Sequence, residues 1–398
     1  MVPLYAVTGK PLMIQQVDVS PEHSRNDALM FECSYDDGEY VWFAAYFHNA
    51  LYKMDKRTWV AEYVGAFPGE EKYQQKLFAD VTECDGKLYF APCSAEKIAT
   101  YDMETGAFGS IKLEEHHKAN HPSYDKYCKF STIARCGRFV YFLPATYPAI
   151  IRIDCDSGDM IYMTDWLGPL SEIKNEDTWY FYGADVVNDK VYASVRCADA
   201  ILVIDGFCCE LKPIGIGGVN YGGICHDGND FWLVPCMPVE GWPSLVKWNE
   251  GTGWRTVVYL STMDDYVAIE VSNSSAIVLG ILFHGGQIWI FPNRLKRSLK
   301  INVTSGDISD AEVFQTECGI VTDPTIYMTY AKYWEKDGVL YTLGARSGAI
   351  TKYDTMSGES CVKMMTEDFH IRMSQDLQLV NLEKAGDCIY KMMVMTVI

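Results

Sequence analysis

Short apolar runs flanked by turn residues recur along the chain at a steady spacing. The clearest unit is Cys84-Asp85-Gly86-Lys87-Leu88-Tyr89-Phe90-Ala91-Pro92, followed by Ile98-Ala99-Thr100-Tyr101-Asp102 and the turn Met103-Glu104-Thr105-Gly106. Such runs of strand length, rich in aromatic and β-branched residues and bounded by Gly, Asp and Pro, predict paired strands. The pattern returns at Gly137 (Phe139 to Pro144, then Ile151 to Asp154 and Ser157-Gly158) and at Asp189 (Val191 to Ala193, then Leu202 to Gly206). Shorter copies begin at Gly38, Gly228, Gly286, Gly338 and Gly386.

The eight anchors lie 39 to 58 residues apart, with a mean near 50. A repeat of that length with several strands per unit predicts a β-propeller. The residues after Gly386 and those up to Gly38 together make about one further period. The expected fold is therefore all-β: one closed propeller over residues 1–398, of about eight four-stranded blades, with seven as the alternative. Leu4 to Val7 and Leu12 to Val19 would pair with Leu377 to Leu382 and Cys388 to Val397. N- and C-terminal strands (1–20 plus 376–398) would then share one blade and leave no open edge.

The turns Asp102 to Gly106, Asp154 to Gly158, Asp354 to Gly358 and Asn249 to Gly253 resemble the Asp-x-x-Thr-Gly turn of quinoprotein-like (PQQ-like) propellers. That resemblance implies a propeller with, commonly, eight blades. The tryptophan that usually follows the turn is present only as Trp254, so no pyrroloquinoline cofactor is implied, and no other cofactor is expected. The period also resembles kelch repeats, whose paired glycines occur here only at Gly217-Gly218, Gly222-Gly223 and Gly285-Gly286. A single Trp-Asp pair, Asp165-Trp166 read in reverse order, gives no WD40 array.

Composition narrows the functional classes. The 34 basic and 53 acidic residues leave a net charge of −19, which argues against nucleic acid or an anionic membrane as partner. The longest apolar run, Ala276 to Phe283, is far short of the roughly 20 residues that span a bilayer. Met1 to Met13 lacks the basic and apolar segments of a signal peptide, and the 14 cysteines read as buried thiols, so a cytoplasmic protein is expected.

Propeller ligands meet the loops around the channel, here the second-to-third-strand loops and the links between blades. Aligned on the anchors, the former carry His48 and Asn49, Cys93 and Ser94, Thr146 and Tyr147, Arg196 and Asp199, Cys236 and Glu240, Asn293 and Arg294, and Arg346 and Ser347. Arg196, Arg294 and Arg346 would bring planar donor forks to one axis and suit an anion, unless they are solvated loop residues. Cys93 and Cys236 are candidate reactive thiols or small residues at a bend, and Trp166, Trp179 and Trp242 are candidate stacking or docking residues. His116, His117 and His121 lack a metal-ligand frame, no Cys-x-x-Cys exists, and no metal site is expected. Gly215-Ile216-Gly217 lacks the third glycine of a dinucleotide loop.

The leading expectation is a binding module for a small anionic ligand or a protein or peptide partner. A lyase, hydrolase or isomerase acting on a saccharide or modified peptide, with His48, Arg196, Arg294 or Arg346 in its chemistry, is the rival. A structural subunit of a larger assembly is the third reading.

Overall fold

A computed structural model describes residues 30–72, 74–114, 125, 128–260, 278–292, 295, 297–314, 330–344 and 349–367. Four successive strands, each hydrogen-bonded antiparallel to the next, make one sheet, and among the described residues this happens seven times. The blades occupy 33–65, 78–112, 130–163, 181–213, 221–259, 278–310 and 330–364.

The second strand of each blade is buried along nearly its whole length, as in Phe139–Pro144 and Phe231–Pro235. Blades stack face to face, so the inner strands of each sheet are covered on both sides and read as continuous apolar runs. Fourth strands are less buried than second strands, and Ile308–Asp310 is exposed throughout. The anchors of the repeat are the tight turns between first and second strands. Asp85 and Gly86 (φ 54° and 72°) and Asp337 and Gly338 (53° and 81°) both adopt positive φ, the geometry whose twist matches a hairpin.

Each pair of neighbouring blades encloses one hydrophobic cluster, and there are seven clusters for seven interfaces. The cluster that decides blade number joins the first and last blades: Phe31, Val41, Phe43 and Tyr52 pack with Ala331, Tyr341, Leu343 and Ile350. Across the same seam the Trp334 indole N–H donates to Asp36 at 3.0 Å, and Thr366–Glu367 pairs in parallel with the outer strand Val60–Gly65 of the first blade.

The expected count of eight is thereby corrected to seven. The seventh blade lies directly on the first, which leaves no slot for another sheet between them. Gly386, the eighth anchor of the expected ring, and the terminal strands proposed to share a blade lie outside the described residues.

Candidate functional site

The first strand of every blade faces the axis. These strands are Cys33–Asp36, Phe78–Cys84, Phe130–Cys136, Phe181–Val187, Tyr221–His226, Val278–His284 and Tyr330–Lys336. Each opens on, or is preceded by, a buried large apolar residue: Phe31, Phe78, Phe130, Phe181, Tyr221, Val278 or Tyr330. Immediately after it, in six of the seven blades, the pairing register slips. A bulge of this kind places an extra residue outside the ladder and re-aims its side chain. Here it turns Ala79, Ser131, Tyr182, Leu279 and Ala331 toward a single cavity of about 300 Å3.

Seven equivalent positions thus carry unlike chemistry around one ring. In the arc formed by blades seven, one, two and three the lining is polar. Lys332 lies 3.4 Å from Asp80, whose other carboxylate oxygen accepts from the Thr132 hydroxyl at 2.9 Å and the Ile133 N–H at 3.3 Å. Lys76, in the link between the first two blades, pairs with Glu32 at 2.6 Å. Burial is the largest influence on the Lys76 ammonium and pulls it toward its neutral form, but the Glu32 charge and hydrogen bond, together with Cys93 and Tyr46, outweigh it and keep the proton on. Cys33, behind Asp80, is held as the thiol by burial first and by that carboxylate second.

Across the cavity, blades four to six present Gly183, Ala184, Gly223, Ile224 and Leu279. Glycine is required at two inner-strand positions by close approach. A β-carbon at residue 183 would stand 3.2 Å from the Gly222 carbonyl oxygen, and one at residue 280 would overlap the Tyr333 phenol. Between the two arcs stand Tyr333, Tyr182 and Trp179, the last two stacked at 6.2 Å. Burial in the channel raises the pKa of both phenols.

Of the residues singled out from sequence, Cys93 lines the cavity directly. Arg196 stands behind it: its guanidinium covers the Trp179 ring at 4.7 Å and donates to Asp177 at 3.1 Å. Tyr147 is wholly buried, stacked on cavity-lining Phe130 at 5.1 Å, with its hydroxyl donating to the Glu114 carbonyl at 3.1 Å. Cys236 is buried, and burial pushes its thiol up to about 11. His48 sits on Tyr52, ring nitrogen to hydroxyl 3.1 Å, and does not line the cavity. Arg294, Arg346 and the His116, His117 and His121 group lie outside the described residues. The described cations near the axis are matched by acids, Lys76 by Glu32, Lys332 by Asp80 and Arg196 by Asp177.

The neighbours of those loop residues have a positioning task. Asn49 exchanges hydrogen bonds with the Phe67 backbone at 2.8 and 2.9 Å, and Ser94 donates to the Gln75 and Lys76 carbonyls at 2.8 and 3.0 Å. Thr146 donates to the Cys128 carbonyl at 2.7 Å, and Asp199 accepts from the Tyr221 hydroxyl at 2.7 Å. These four loops, of blades one to four, thereby tie down neighbouring links or inner strands.

Sequence reasoning missed Glu32, Asp80 and Lys332, because they lie on or just before first strands, whereas the candidates were taken from the loops that follow second strands. Of the three tryptophans offered for stacking, Trp179 reaches the cavity and Trp242 is 42% exposed. Trp166 is instead buried, its N–H donating to the Met163 carbonyl at 2.9 Å. The short helix Leu167–Ile173 follows it and packs Leu170 against the same core.

No protein-family model matches the chain, and no curated protein matches it. Solved structures do resemble it. A catalytically inactive virginiamycin B lyase from Staphylococcus aureus, solved with quinupristin, superposes with a TM-score of 0.57 at 13% identity, covering 83% of this chain and 96% of the lyase. A streptogramin B lyase gives 0.55 at 14% identity, over 84% and 95% of the two chains. A chain of the mitotic checkpoint complex gives 0.52 at 11%, over 82% and 90%. At such identities the likeness is one of fold, and with the blade count above it defines the class: a seven-bladed β-propeller. No described helix is long and apolar enough to cross a membrane.

Proposed function

We propose that this propeller is a binding module whose channel takes a small molecule bearing charged groups of both signs beside a flat apolar ring. The observation that carries this reading is the division of one 300 Å3 cavity into two walls. The Lys332–Asp80 and Lys76–Glu32 pairs face the glycine-lined wall, with Trp179 and Tyr182 beside it. A ligand carboxylate would compete for the lysines and a ligand ammonium for the acids, while its ring lay against the aromatic and glycine surface. The expected anionic ligand is refined to a zwitterion because each described cation already has an acid beside it. A peptide terminus or an aromatic amino acid has that chemistry.

Binding is favoured over catalysis by the protonation states. Among the described residues no histidine lines the cavity, burial raises the pKa of the Tyr182 and Tyr333 phenols, and Lys76 keeps its charge. Two of the propellers of similar fold are lyases, one of them solved with quinupristin, which is precedent for a propeller with a small-molecule ligand.

Titration calorimetry with aromatic amino acids and short aromatic peptides tests the proposal. Binding is expected, weakened at least tenfold by Lys332→Met and by Trp179→Ala. Absence of binding at millimolar ligand, or binding untouched by both substitutions, overturns it. Turnover of a bound peptide would instead establish the enzyme reading.

A further inference from the structure

Two thiols meet where the cavity wall joins the link into the third blade. Cys93 lines the cavity, and Cys128 precedes the inner strand Phe130–Cys136. Their thiols are close enough to act on each other. The backbone holds them there: the Lys129 N–H donates to the Cys93 carbonyl at 3.2 Å, and the Cys128 carbonyl accepts from Thr146 at 2.7 Å. Cys93 is 1% exposed, whereas Cys128 is partly open to solvent. One thiol is thus accessible to a reagent while the other waits behind it, the arrangement of an attacking and a resolving cysteine.

We propose that Cys93 and Cys128 form a thiol-modification site that reacts with small disulfides and closes to an intramolecular disulfide on the channel wall. In the first step the Cys128 thiolate attacks one sulfur of a disulfide such as oxidised glutathione. The S–S bond breaks, a mixed disulfide forms, and one glutathione thiolate leaves. Cys93 then loses its proton to that thiolate or to water and attacks the Cys128 sulfur, expelling the second glutathione. The protein gives up two electrons and two protons, and one glutathione disulfide becomes two glutathiones.

The electrostatics run in the same sense. Contact with Cys93, with help from the Lys76 and Lys129 ammonium groups, lowers the Cys128 thiol against the opposing effects of burial and Asp125. Contact with Cys128 and burial raise the Cys93 thiol, with Lys76 opposing and Glu32 adding to the rise. A second pair supplies an internal control. Cys84 and Cys155 are also in side-chain contact, but burial pushes Cys155 up to about 12, so Cys155 is held as the thiol.

The reduced full-length protein is treated with oxidised glutathione near pH 7, quenched at intervals and followed by intact mass and non-reducing peptide mapping. The wild type is expected to gain a Cys93–Cys128 crosslink with the mass loss of two hydrogens. Cys93→Ser should stop at a glutathione adduct on Cys128. In Cys128→Ser neither product should form at this site, because Cys93 is buried and held as the thiol. Cys155→Ser should leave the crosslink unchanged, whether or not the cavity has a ligand. The proposal fails if Cys93 and Cys128 remain reduced while exposed Cys208 is modified. It fails equally if Cys93→Ser accumulates no adduct on Cys128, or if the crosslink maps to Cys84 and Cys155.

Discussion

His48 shows what burial does to a residue that the sequence marks as chemical. Packed edge-on to Tyr52 with ring centroids 5.9 Å apart, it is stripped of water, and burial lowers its pKa from 6.5 to about 4. In the unfolded chain the imidazole takes up a proton as pH falls through 6.5, while in the folded protein it stays neutral until about 4. The unfolded state therefore binds more protons across that window, so stability falls as the medium is acidified from 6.5 to 4. His48→Gln should remove on the order of 2 kcal/mol of that acid sensitivity, read from urea midpoints between pH 4 and 7 in mutant and wild type. Equal slopes in the two proteins would refute the assignment. The histidine was visible in the sequence, but its neutrality comes from partners that loop closure brings over it.

Among the elements, the turns between third and fourth strands were the most legible. Asp102, Asp154 and Asp354 each use one carboxylate oxygen to accept backbone N–H groups two and three residues on, at 2.8 to 3.5 Å. The glycine four residues on adopts positive φ, 73° at Gly106 and 75° at Gly158 and Gly358. Everything such a turn needs lies within five residues, so a sequence motif can specify it. Gly106→Ala should cost about 1 kcal/mol in chemical denaturation, because alanine pays for a left-handed conformation that glycine adopts freely. In the first blade Asp55 and Thr58 keep the motif and Asp55 accepts from the Arg57 and Thr58 N–H groups, but a buried Trp59 at φ 62° stands in place of the glycine. The bulges at the channel are the opposite case: they arise because seven first strands must converge on one axis, a demand that no single strand expresses.

For the whole molecule the decisive surface is the seam between the last blade and the first. Trp334 stacks on Tyr341 with ring centroids 5.0 Å apart, lies 6.3 Å from Phe31 and donates to Asp36, which also pairs with Lys56 at 2.8 Å. Trp334→Ala removes the ring that spans this interface. A loss of about 3 kcal/mol is expected, with faster hydrogen exchange concentrated in 33–65 and 330–364. Uniform acceleration over all seven blades would show that the seam has no separate stability.

Alternating turns and apolar runs were enough to establish a propeller, its period and the loops that crowd its axis, since each depends on residues close together in the chain. Blade number did not follow from the same arithmetic. Whether a terminal segment makes another blade depends on whether the last sheet packs directly on the first, a contact between residues about 300 positions apart such as Asp36 and Trp334. The cavity is likewise a product of the ring. Glu32, the neighbouring Lys76 and Asp80, and Lys332 come from three separate stretches of chain and become one polar wall only when the strands carrying them share an axis.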